Sequence, residues 1–123
     1  MKEKTFQHAE GMTLSEFRHG NIEVVREGLL IVVIATAEDR EESLKHAEHL
    51  ASLQAEVYFI TDRSVSLPGI TEKRILILPE QADAILSQIV AVLPILLLAE
   101  KTTSLKGADV DDFRYISKVV DRY

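Results

Sequence analysis

Residue types suited to proton transfer and nucleophilic attack cluster at the two ends of this chain. They form three groups: Glu3 with Lys4, the run Glu16-Phe17-Arg18-His19-Gly20, and the tail from Lys106 to Arg114. A histidine between a helix end and a glycine can titrate near neutrality and pass protons to a substrate oxygen, the chemistry His19 would offer. Taken alone, His19 beside Arg18 also fits a surface or helix-capping residue. Lys106 before Gly107 has the same two readings: a cation placed at a helix C-terminus, or an amine that forms a Schiff base with a carbonyl substrate. Asp109, Asp111 and Asp112 alternate without a histidine and without EF-hand spacing, so they read as a solvated turn rather than a metal site. His8 stands apart, and His46 and His49, three residues apart on a helix, read as surface neighbours. The sequence has no Gly-rich phosphate loop, no G-x-S-x-G and no dinucleotide-binding glycine pattern.

The rest of the composition sets limits on what surrounds these groups. The chain has 123 residues, 46% of them hydrophobic, enough for one core and one domain, taken as residues 1–123. It has no cysteine, which removes disulfides and thiolate metal sites and fits the reducing cytoplasm. A net charge of -6 and the lack of a basic cluster argue against a nucleic-acid partner. The first ten residues lack the apolar core of a secretory signal. The longest apolar run, residues 89–99, is interrupted by Pro94 and falls short of the roughly 20 residues that span a bilayer. It is expected to be a buried helix, with no membrane partner.

Residues 29–35 form an unbroken run rich in Ile and Val, which predicts a central strand buried on both faces of a parallel sheet. Glu38, Asp39, Glu41 and Glu42 then suit the positive end of a helix. Leu44, Ala47, Leu50, Ala51 and Leu53 give that helix, ending near Gln54, one apolar stripe. Strands are predicted at residues 57–60 and 74–78, the latter stopped by Pro79, so strand, helix and strand make a right-handed crossover. A long helix is expected from Asp83 to about Leu105, bent by Pro94 and ended by Gly107. Two short helical pieces are expected at residues 5–10 and 13–19. The fold class is α/β, a small parallel sheet flanked by helices. Three strands are few for so apolar a set, so the sheet calls for neighbours from outside the chain.

Taken together and in order, these groups resemble one family. Lys2-Glu3-Lys4-Thr5-Phe6-Gln7-His8-Ala9-Glu10 is similar to a helix ending in K-E, then four residues, then H-A-E. Ser15-Glu16-Phe17-Arg18-His19-Gly20 resembles an E-[LF]-[KR]-H-G-P turn, and residues 105–114 resemble a K-G-x-D-x-D-x-P-R tail. These are marks of the SIS (sugar isomerase) phosphosugar domain, in its C-terminal part, closest to the isomerase module of glucosamine-6-phosphate synthases. Pro94 also falls where that family has a proline. The resemblance implies a partial SIS-type three-layer fold, incomplete relative to a full domain, and fructose-6-phosphate to glucosamine-6-phosphate chemistry without metal or cofactor. It matches Glu3 to the carboxylate that moves a proton between C1 and C2, His19 to the histidine of ring opening, and Lys106 to the Schiff-base lysine. Because the family's histidine turn reaches a neighbouring subunit's site, the resemblance also implies a homo-oligomer. The family's Ser/Thr-rich phosphate loop has no counterpart here, since Ser64, Ser66 and Gly69 are in the wrong order and spacing. The match therefore implies a companion chain with a first SIS domain to hold the sugar phosphate. The alternative is a non-catalytic, self-associating module for sugar-phosphate binding or regulation. Asn21 and Phe113 stand where the family has prolines.

Overall fold

A computed structural model describes residues 2–35, 39–81 and 83–108, with the backbone alone for Glu3 and Lys4. The described chain divides into two compact units, residues 12–91 and a second comprising residues 1–11 with 92–123.

The first unit holds the sheet. Strands β1 (Leu30–Ala35), β2 (Glu56–Thr61) and β3 (Ile75–Ile77) are parallel in the order β1-β2-β3. Leu30 lies opposite Glu56 and Ala35 opposite Thr61, while Phe59 lies opposite Ile75. β2 is therefore the central strand, which corrects the expectation of a central strand at residues 29–35. β1 has a strand neighbour on one side only among the described residues, and Leu30 and Ile34 are exposed. An unbroken apolar run records that both faces of a strand call for cover, but it does not record whether both edges are paired.

Helix α3 (Arg40–Ser52) connects β1 to β2 and packs on both. Its Ala47 and Leu50 join Ala35, Val57 and Phe59 in the core, to which the 62–71 connection adds Leu67 and Ile70. Fully burying a side chain such as Phe59 or Leu50 stabilises by about 1.5–3 kcal/mol. α3 ends in a Schellman motif: the Ala55 N–H donates to the Leu50 carbonyl at 3.2 Å and the Gln54 N–H to the Ala51 carbonyl at 3.0 Å. Gln54 occupies the left-handed position of that motif, at φ 64°. At the other end of α3, Arg40 is paired with the buried Asp62 just beyond β2, so the helix start and the strand end are tied together.

The second unit contains α1 (Lys2–Thr5) and the distal part of α4 (Ala84–Leu105), a helix that begins in the first unit. α1 lies earlier than the helix expected at residues 5–10. Phe6 takes a left-handed φ of 52°, which stops the helix after one turn. α4 has the expected bounds and contains Pro94, but it is not the buried helix expected. Its 22 residues are long and apolar enough to cross a membrane by length and composition, and most of its large side chains are exposed. Apolar content predicted burial, whereas in this chain the helix turns small residues such as Ala91 inward.

Candidate active site

His19 is positioned by helix α2 (Leu14–Arg18). The helix starts with a capping box: the Thr13 hydroxyl accepts from the Glu16 N–H at 3.2 Å and the Glu16 carboxylate accepts from the Thr13 N–H at 2.7 Å. These donors from Thr13, main chain first and then hydroxyl, hold the Glu16 carboxyl below its ordinary pKa. His19 is the C-cap, its N–H donating to the Ser15 carbonyl at 3.3 Å, and Gly20 follows at φ 137°. Asn21, in the family's proline position, donates its side-chain amide to the Glu16 carbonyl at 3.3 Å, so the turn has a tie of its own.

α2 rests on α3 through two contacts. Phe17 meets His46 edge to face, with ring centroids 5.4 Å apart, and Arg18 pairs with Glu42. Leu14, Ser15, Arg18, His19 and Glu42 line an open pocket of about 440 Å³. The His19 imidazole has no hydrogen-bonding partner among the described residues and is exposed at this pocket, so it is free to meet a ligand. His46 is not the simple surface neighbour of His49 that spacing suggested. Its Nε2 is buried without a partner, and burial, with smaller contributions from His49 and Arg18, pushes its pKa down against the pull of Glu42.

Lys106 is fixed from both directions. It follows the last helical residue, Leu105, as the C-cap of a second Schellman motif, in which the Ala108 N–H donates to the Thr103 carbonyl at 3.2 Å and the Gly107 N–H to the Ser104 carbonyl at 3.0 Å. Gly107 supplies the left-handed residue at φ 68°, which a side chain would strain. The Lys106 Nζ donates to the Thr5 carbonyl at 2.8 Å. That carbonyl lies at the end of α1, two residues beyond Glu3, so the amine is held to the helix that carries the candidate carboxylate. Thr5 itself is fully buried.

Glu3 and Lys106 thus belong to one unit and His19 to the other. The acidic run Asp109, Asp111 and Asp112, and Phe113, lie outside the described residues. Among the described residues, no group of three or more His, Cys, Asp or Glu side chains could hold a metal. Ser64 and Ser66 are exposed on a loop anchored in the core by Leu67 and Ile70. Sequence reasoning missed Ser15 and Glu42 as neighbours of His19, and Thr5 as the acceptor for Lys106. The four-residue step from Glu42 to His46, one turn of a helix, was a usable signal that the two face α2 together. Nothing local signals a contact between Thr5 and Lys106.

A small parallel sheet with a crossover helix packed on it defines an α/β domain. The chain belongs to the SIS domain family, whose model matches residues 1–99. It is similar to the isomerizing glutamine–fructose-6-phosphate aminotransferase of Agrobacterium fabrum, 33% identical over 122 residues. The enzyme of the same name from Brucella abortus is 34% identical over 123 residues. Each match covers 98% of this chain and 20% of the relative, so the chain spans about a fifth of the length of the curated relatives it matches. The fold is that of the C-terminal domain of glucosamine-fructose-6-phosphate aminotransferase from Francisella tularensis, with a TM-score of 0.72 at 23% identity. That alignment covers 90% of this chain and 31% of the other.

Proposed function

We propose that residues 1–123 act as one SIS-type domain, the C-terminal segment of a cytoplasmic phosphosugar isomerase or aminotransferase acting on a fructose-6-phosphate type ketose. The observation that carries this reading is the 2.8 Å bond from Lys106 to the carbonyl of Thr5, two residues from Glu3. In this reading Lys106 attacks the ketose C2 carbonyl and water leaves as the Schiff base forms. Ammonia then adds at C2 and the Lys106 amine leaves, so that the C2 imine carries the ammonia nitrogen. Glu3 takes the proton from C1 and returns it at C2, leaving the aldehyde at C1, while His19 serves the ring oxygen during opening. A homo-oligomer brings the His19 turn to a neighbour's site, and a companion chain with a first SIS domain grips the phosphate. Similarity to isomerizing aminotransferases supports the assignment.

A second reading, a non-catalytic module that binds a sugar phosphate, draws support from the missing Ser/Thr-rich loop. Assay of fructose-6-phosphate conversion separates the two. The expected result is no turnover by the isolated chain and turnover when it is combined with a companion first SIS domain, lost in Glu3→Gln. Sugar-phosphate binding without turnover by the combined chains would select the module.

A further inference from the structure

We infer that His46 is the positioning residue for His19: its neutral imidazole seats α2 on α3, and its protonation releases the turn that carries His19. The inference deepens the proposed function and rests on it for the role of His19 alone. The residues concerned, 13–20 and 42–49, lie within one compact unit.

α2 has five residues, none of them buried, and so short a helix does not stand by itself in water. It is held by contacts. Phe17, which packs against the core, meets the His46 ring edge to face at 5.4 Å, and Arg18 pairs with Glu42. The ion pair is exposed on both sides and contributes little by itself, which leaves the ring contact as the main seat. His19 and Gly20 follow Arg18 directly, so what shifts Phe17 and Arg18 shifts the turn.

The neutral ring suits this seat and the charged ring does not. Nε2 is buried without a partner, so a cation there would be desolvated and short of a hydrogen bond. The charged and titratable groups that face the ring are Arg18 from α2, and Glu42 and His49 from α3. Arg18 and a protonated His49 repel a cation at His46, whereas Glu42, one helical turn earlier, attracts it. Protonated His46 therefore competes with Arg18 for one carboxylate while its ring turns outward for water, and both contacts that hold α2 weaken together. Burial keeps the folded-state pKa of His46 below 6.5, so α2 is seated above that pH and released as pH falls through the lower value. Glu16, with its carboxyl held below the ordinary 4.5, stays ionised over this interval and keeps the capping box out of the change.

Amide exchange of the full chain, measured by NMR between about pH 7.5 and about pH 5 and corrected for intrinsic rates, tests the inference. The Phe17 and His19 N–H groups donate to the Thr13 and Ser15 carbonyls at 3.0 and 3.3 Å and so report whether α2 is formed. Their protection is expected to fall about threefold or more, with the midpoint of the His46 ring titration. His46→Phe, a ring that does not titrate, is expected to hold protection constant. Where that variant does not fold, Glu42→Gln removes the attraction that raises the His46 pKa, and both midpoints are expected to move to lower pH together. Protection that is flat in the wild type, that falls away from the His46 midpoint, that falls equally in His46→Phe, or whose midpoint stays in place in Glu42→Gln overturns the inference. No substrate enters this measurement, so its outcome and that of the turnover assay with a companion domain are independent.

Discussion

The Lys106 ammonium and the Thr5 main-chain carbonyl, 101 positions apart in sequence, meet at 2.8 Å. This bond places the amine at the C-terminal end of a one-turn helix, where unsatisfied carbonyls attract a cation.

Borohydride trapping with a ketose phosphate, in the presence of a companion domain, is expected to label Lys106. The label should disappear in Lys106→Ala and Lys106→Arg, since guanidinium does not form the imine. Peptide mapping that finds the label unchanged in those variants would leave Lys106 as a helix-terminal cation only.

Gly107 sits at φ 68°, so Gly107→Ala is expected to cost about 1 kcal/mol and to loosen the Schellman motif that holds Lys106. Gln54 offers the converse. It holds a left-handed φ of 64° at the end of α3, and Gln54→Gly is expected to stabilise the chain by about 1 kcal/mol. Urea denaturation of both variants measures the pair, and equal midpoints for Gln54→Gly and wild type would contradict the strain assigned to Gln54.

His46 gives stability a pH dependence of known sign. Burial holds its folded-state pKa below the ordinary 6.5, so the unfolded chain binds its proton more readily. The contribution is fully present above pH 6.5 and is lost as pH falls from there through the lower folded value. His46→Leu, which keeps the contact with Phe17 apolar, is expected to flatten the stability profile across that interval. An unaltered acid limb in the variant would assign the titration to another group.

Phe59, on the central strand and fully buried, is expected to cost about 3–5 kcal/mol when replaced by Ala, a large share of the stability of a domain this size. Thermal unfolding reads the loss directly.

How much of this was legible in the sequence follows from the range of the forces involved. α3 and α4 could be read because their ends are marked by local chemistry, acidic residues before α3 and Gly107 after α4. The three strands could be read from β-branched runs, but their order could not, since pairing is decided between segments and β1 and β2 carry similar side chains. His19 at a helix end before Gly20 was likewise a local inference, and the structure places it there. Its pocket partner Glu42 lies on α3, whose docking depends on tertiary packing of Phe17 against His46. The outward turn of α4 was hidden for a related reason. A helix apolar on most sides has no pattern that says which side faces its own chain.

The open edge of β1 also bears on how the chain is made. The only strand that pairs with β1 among the described residues, β2, is separated from it by the 20 residues between Ala35 and Glu56. At about 5–20 residues per second, a ribosome needs about 1–4 s to synthesise that interval. During it an apolar strand with no proline and no charge has emerged while its neighbour has not. Abundant holdase chaperones, which cover such a strand until its partner emerges, should therefore raise the soluble yield of newly made chain.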